Sequence, residues 1–205
     1  RPCDYLFFHA VHRNGKRSSG RLPIQINRRG IEMRKILVVV DMQNDFIDGA
    51  LGTKEAVAIL PAVIKKIRSY DRENVFATRD THPMNYLETQ EGRNLPVPHC
   101  IKGTNGWEIR PEIMELLDPD NIIDKPSFGS IELAETLKKM AEKEELQIEI
   151  IGLCTDICVV SNALMLKAWM PEVHISTDRS CCAGVTPEQH NAALSTMASC
   201  QIEIK

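Results

Sequence analysis

Five short runs of aliphatic or β-branched residues punctuate the chain at wide intervals: Ile36 to Val40, Val75 to Ala77, Ile122 to Ile123, Ile148 to Ile151 and Val173 to Ile175. Each is apolar without alternation, so each reads as a strand buried on both faces. Between and after them lie stretches of helical composition, Glu55 to Tyr70, a short one near Pro111 to Leu117, Ile131 to Glu145, Asp156 to Trp169 and Pro187 to Ala198. Thr186 followed by Pro187 offers the last of these a capping hydroxyl and a first-turn proline. Strands that alternate with helices pair in parallel, with the helices on both faces. The expectation is an α/β fold of three layers, αβα, around a mostly parallel sheet. Ligands of such sheets bind beyond the carboxyl ends of the strands.

This fold is assigned to residues 33–205. Residues 1–32 carry seven basic side chains against two acidic ones, a local net of +5, and show neither helical nor alternating periodicity. They are expected to be upstream or non-native sequence outside the fold; an organelle-targeting leader is the alternative, disfavoured by the missing amphipathic spacing. The whole chain has a net charge of -3, which leaves no field for nucleic acid or an anionic membrane surface. Apolar runs such as Ile36 to Val40 fall far short of the roughly 20 residues of a membrane span. Seven cysteines at irregular spacing suggest no disulfide framework, and a cytoplasmic setting fits them better.

Three strand ends hold residues with chemical potential. In "LVVVDMQNDF", Asp41 follows four aliphatic residues, where a carboxylate would be partly desolvated; the plainer alternative is a loop-capping Asp. A calcium loop built on Asp41, Gln43 and Asp45 fails, because Phe46 stands where that loop requires Gly. In "IIDKPSFGS", Pro126 forces an extended backbone that directs Lys125 off the strand end; most lone lysines are merely solvated. In "EIIGLCTDICVVSNAL", a buried strand ends at Gly152 and a helix is expected from about Thr155 to Asp156. Cys158 would then lie in the first helical turn, where unpaired N–H groups stabilise a thiolate. An inert core thiol is the competing reading. A zinc site of Cys154 and Cys158 is disfavoured by the CxxxC spacing and the lack of a second pair.

The long loop "ATRDTHPMNYLETQEGRNLPVPHCIKG" brings Asp80, His82, Glu88, Glu91, His99 and Cys100 together after a strand end. Asp-x-His there, with a second His on a proline-braced turn, matches the ligands of Zn, Fe or Mn; loop-capping hydrogen bonds would use the same residues without a metal.

Taken in order, "VVVDMQNDF", the Asp-x-His loop, "KPSFGS" and "IIGLCTDICVVSNAL" resemble the isochorismatase-like cysteine hydrolases over nearly all of residues 34–204, and the loop "DTHPMNYLETQEGRNLPVPHCIKGTNGW" is most similar to the nicotinamidase branch. The resemblance implies six parallel strands and a triad of Asp41, Lys125 and Cys158. It further implies a cis peptide between Leu153 and Cys154, with the backbone N–H groups of Cys154 and Cys158 as an oxyanion hole. The family's metal site, for one divalent transition metal (Zn, Fe or Mn), maps onto Asp80, His82 and His99. A third histidine found in some members is missing here, so Glu88, and after it Glu91, is the candidate replacement. Phe46, with Trp107 and Phe128 as further candidates, would hold an aromatic substrate. The implied activity is hydrolysis of nicotinamide to nicotinate and ammonia through a cysteine thioester, by a homo-oligomer. The alternatives are a cysteine hydrolase of a carbamoyl or ureido compound, or a non-catalytic protein that kept the fold.

Overall fold

The computed structural model describes residues 33–205, so the reading of residues 1–32 lies outside the described residues. The elements run in the order β1 (Met33–Val40), α1 (Asn44–Ile47), α2 (Lys54–Ile67), β2 (Val75–Asp80), α3 (Gln90–Asn94), α4 (Pro111–Met114), β3 (Ile122–Lys125), α5 (Ile131–Ala141), β4 (Glu145–Leu153), α6 (Val160–Trp169), β5 (His174–Ala183), α7 (Pro187–Ser199) and β6 (Glu203–Ile204). A π-helical turn, Thr155–Val159, separates β4 from α6.

The six strands form one all-parallel sheet in the order β3-β2-β1-β4-β5-β6. The αβα architecture expected from the alternating pattern is thus present. The apolar runs fill the middle of the sheet, with Ile36, Leu37, Val38, Val40, Ile148, Ile150 and Ile151 all fully buried. α2 and α4 pack together on one side, and α5, α6 and α7 pack in sequence on the other. Hydroxyls start the longer helices: Thr53, Ser130 and Thr186 each accept the N–H three residues on, which satisfies a donor the helix cannot.

Three differences from the sequence reading have physical causes. The helix expected to reach Glu145 stops at Ala141, because Glu145 already begins β4. The π-helical turn replaces the expected start of the sixth helix at Thr155. β6 has only two residues and lacks an apolar run, so periodicity alone had no signal for it.

The strand order reverses between β1 and β4: the first three strands step one way from the centre, the last three the other way. Such a reversal opens a crevice beyond the carboxyl ends of the two central strands. Register brings the strand ends level there, with Val40 paired to Thr78 and Gly152, and Asp80 paired to Lys125. Gly152 is required at this point: its φ is +121°, and a Cβ would lie 2.1 Å from the Val40 carbonyl oxygen.

Candidate active site

Asp41, Asp80, Lys125 and Cys158 meet in this crevice, one from each of four chain segments. Asp41 follows β1 with φ at +48°, a conformation non-glycine residues adopt at a cost and one that concentrates at functional sites. Lys125 closes β3, and its side chain is wholly buried. Its Nζ lies 2.7 Å from Asp41 Oδ2, 3.1 Å from Asp80 Oδ1 and 3.5 Å from Cys158 Sγ, and it donates to the Ser127 carbonyl at 3.0 Å. The three residues of the expected triad are therefore in mutual reach.

Burial controls their protonation. For Lys125, desolvation opposes charge, but Asp41, Cys158 and Asp80 outweigh it and hold the ammonium above its ordinary value. Burial pushes the Asp41 carboxyl up, Lys125 pulls the other way, and the Asp80 charge adds to the rise. Burial likewise pushes the Cys158 thiol well above its ordinary value, the Asp41 carboxylate adds to this, and Lys125 only partly offsets it. Burial thus works against the preformed thiolate that a helix start would favour, and Asp41 is the adjacent proton acceptor. Asp41 also takes a 2.7 Å hydrogen bond on Oδ1 from the Thr78 hydroxyl. Its Oδ2 is close to Lys125 Nζ yet receives no well-aligned hydrogen bond, so one lone pair stays available.

The turn carrying the sulfur begins with a cis peptide between Leu153 and Cys154. Inside it, the Cys154 carbonyl accepts the N–H groups of Ile157 and Val159. Burial and Asp156 push the Cys154 thiol up to about 12, and it is the Cys158 sulfur that lies 3.5 Å from the Lys125 ammonium.

Asp80 links this cluster to a second one. Its other oxygen, Oδ2, is 2.9 Å from His82 Nε2 and 3.8 Å from His99 Nε2. Ligand atoms of Asp80, His82 and His99 all fall within 4.8 Å of one another, and all three residues are buried. The His99 ring bonds the Val97 carbonyl through Nδ1 at 2.8 Å, which fixes the proton there and leaves the Nε2 lone pair facing the cluster. His82 Nε2 is buried without a well-aligned hydrogen bond. Two imidazole nitrogens, one of them the orphaned His82 Nε2, converge with a carboxylate, and this donor set fits a divalent transition metal.

The fourth ligand needs a correction. Glu88 is exposed and is engaged by Asn85, whereas Glu91 Oε1 reaches within 3.5 Å of His82 Nε2 and 3.7 Å of His99 Nε2. Thr89 caps the short helix α3, which turns Glu91 inward. The aromatic candidates also part company. Phe46 packs its ring 5.6 Å from that of His99. The Trp107 ring is covered by the Arg79 guanidinium at 3.6 Å and donates to Thr81. Phe128 is 47% exposed on the loop after Lys125.

Four further residues of the crevice, all buried except the half-buried Asp45, had no signal of their own in the sequence. Gln43 exchanges hydrogen bonds with both backbone groups of Asp80 and donates to the Trp107 carbonyl. Asp45 accepts the Cys100 N–H and so braces the turn that presents His99. Thr78 orients Asp41, and the fully buried Tyr86 ring touches both His82 and His99.

A family model described as Isochorismatase domain matches residues 35–204. The nicotinamidase of Schizosaccharomyces pombe is 26% identical over 203 residues, covering 82% of this chain and 91% of its own. Among solved structures, the pyrazinamidase of Pyrococcus horikoshii in complex with zinc is 31% identical with a TM-score of 0.67, covering 84% of this chain and 98% of that one. The N-carbamoylsarcosine amidase of Thermoplasma acidophilum, at 24% identity and a TM-score of 0.65, covers 84% of this chain and 96% of its own and shares the fold.

Proposed function

The chain belongs to the isochorismatase domain family, and from that membership we propose that it is an amidohydrolase with Cys158 as nucleophile, acting on nicotinamide. The observation that carries this reading is the buried contact of Lys125 Nζ with both Asp41 Oδ2, at 2.7 Å, and Cys158 Sγ, at 3.5 Å.

In the proposed reaction Asp41 takes the thiol proton of Cys158 as the sulfur attacks the carboxamide carbon. Lys125 keeps its proton throughout; its charge holds Asp41 in place and offsets the negative charge that forms on sulfur. The tetrahedral oxyanion is received by the backbone N–H groups of Cys154 and Cys158. Asp41 returns the proton to the departing nitrogen, and ammonia leaves a thioester on Cys158. Asp41 then deprotonates a water, which attacks the thioester carbon. The carboxylic acid departs with its new oxygen, and the proton returns to the sulfur.

Asp80, His82 and His99 would hold a divalent metal, with Glu91 as the nearest further carboxylate. When bound, that metal supplies a Lewis-acid anchor for a ring nitrogen of the substrate. Around it Phe46 offers an apolar wall, and Tyr86 and Asp45 keep the imidazoles in place. Positioning of this kind favours a pyridine or pyrazine carboxamide over a plain benzene one.

The test is ammonia release from nicotinamide, pyrazinamide, benzamide and a set of N-carbamoyl amino acids. Nicotinamide and pyrazinamide are expected to turn over, with kcat/KM for benzamide lower by about tenfold or more, equivalent to about 1.4 kcal/mol of lost anchoring. Equal rates on benzamide would remove the ring-nitrogen argument. Turnover of the carbamoyl compounds alone would transfer the assignment to that class.

A further inference from the structure

The turn that carries Cys158 is also held by the start of α7 and the connection that leads into it. Thr155 has no exposed surface, and its Oγ1 shares a 2.8 Å hydrogen bond with Nδ1 of His190, the fourth residue of α7. Its neighbour Asp156 accepts the Val185 N–H on Oδ1 at 3.0 Å. Val185 belongs to the connection between β5 and α7, and that connection has no slack. A Cβ on Gly184 would stand 2.7 Å from Asp156 Oδ1 and 2.9 Å from the backbone nitrogen of His190. Two consecutive residues of the turn are thereby tied to one rigid corner.

The turn needs such a tie because of its own geometry. π-helical turns are rare and poorly self-sustaining, and they persist where surrounding contacts fix them. Here the Cys154 carbonyl accepts two N–H groups, those of Ile157 and Val159, and the Val160 N–H closes the turn on the Ile157 and Thr155 carbonyls. The position of the sulfur, three residues beyond Thr155, is then set by what anchors Thr155. Burial and the nearby Arg179 keep the His190 imidazole below its ordinary pKa, against the pull of Asp156, so a neutral ring meets the Thr155 hydroxyl.

We propose that His190 is a positioning residue: through Thr155 it sets the placement of Cys158 Sγ relative to Asp41 and Lys125. The proposal rests on Cys158 being the nucleophile. It assigns to α7 a part in the reaction that its distance from the triad in sequence conceals.

Two readouts separate this role from plain stability: nicotinamide turnover, and the rate at which iodoacetamide alkylates Cys158, followed by peptide mapping. His190→Ala and Thr155→Val are each expected to lower kcat and the alkylation rate by about tenfold or more, with KM within about twofold. The double variant should be no slower than either single one, since both remove the same bond. His190→Asn, whose side-chain amide reaches the place of Nδ1, should recover most of both rates, and it serves as the folded control if His190→Ala unfolds. Wild-type rates in both single variants, multiplied losses in the double one, or no recovery in His190→Asn would overturn the proposal. If nicotinamide is not consumed but Cys158 of the wild type is alkylated, the alkylation rates alone decide. A wild-type Cys158 that is neither alkylated nor active would overturn the nucleophile assignment first, and this inference with it.

Discussion

Two ionic clusters occupy this one sheet, one half-buried and one wholly buried, and they are built to opposite rules. Beneath α2, Lys66 Nζ bridges Glu149 Oε1 and Asp178 Oδ2, each at 2.9 Å, Tyr70 donates to Glu149 Oε2 at 2.6 Å, and Ser180 donates to Asp178 Oδ1. Every carboxylate oxygen there has a donor. At the carboxyl ends of the strands, Asp41 Oδ2 and His82 Nε2 are buried without an aligned hydrogen bond. The protonation equilibria diverge accordingly. Although burial works to raise it, Glu149 is held below its ordinary value by Tyr70 and Lys66, and Asp178 is held down by Ser180 and Lys66 against the same burial. Asp41, wholly buried and facing the charge of Asp80, is driven up although Lys125 pulls the other way. A saturated cluster stabilises its charged form and the fold; an unsaturated one keeps lone pairs free for a proton or a ligand.

The largest separation of the two is expected from Asp41→Asn. It removes the proton acceptor, so kcat for nicotinamide should fall by about 10²–10⁴-fold while the circular dichroism spectrum stays native. An Asp41→Asn protein of wild-type rate would place the general base elsewhere.

Glu149→Ala should do the reverse. Removing Glu149 leaves Lys66 with Asp178 alone and the Tyr70 hydroxyl without its acceptor, at a cost of about 1–3 kcal/mol, while kcat measured below the melting transition stays unchanged. The pH dependence gives the sign. Glu149 and Asp178 have lowered pKa values in the fold, so their contribution is complete above the ordinary values of 4.5 and 3.8 and is lost as pH falls through the lowered ones. Acid melting curves of Glu149→Ala should therefore be shallower than those of the wild type. A steeper acid loss in the variant would mean that the network is not what stabilises the fold at neutral pH.

How far the sequence carried this picture differs between the same two regions. The strand ends were legible because aliphatic runs mark where the sheet stops, and residues directly after them, Asp41, Asp80 and Lys125, must emerge at one edge. Cys158 was legible by motif, but its protonation was not: the helix-start argument overlooks the desolvation of a sulfur buried beside Asp41. The choice of Glu91 over Glu88 depends on how Thr89 starts α3, which spacing does not reveal. The Lys66 network was invisible, since it joins residues 83 and 112 positions apart through a local register shift between β4 and β5, and no motif marks it.

A smaller effect sharpens the second half of the unsaturated cluster. Purified protein should carry about one transition metal per chain by elemental analysis. His99→Ala should remove it and raise KM for nicotinamide about tenfold, with kcat changed less, because the assigned task is positioning. Metal-free His99→Ala protein with unchanged KM would separate this cluster from the substrate.

The most direct measurement is ammonia release from nicotinamide by Cys158→Ala beside Cys154→Ala. Cys158→Ala should release none above background, since among the described residues Cys158 is the cysteine whose sulfur is hydrogen-bonded to Lys125. Cys154→Ala should keep substantial activity, because the role assigned to Cys154 is that of a backbone N–H. Activity retained in Cys158→Ala and lost in Cys154→Ala would contradict the assignment of the nucleophile and the mechanism built on it.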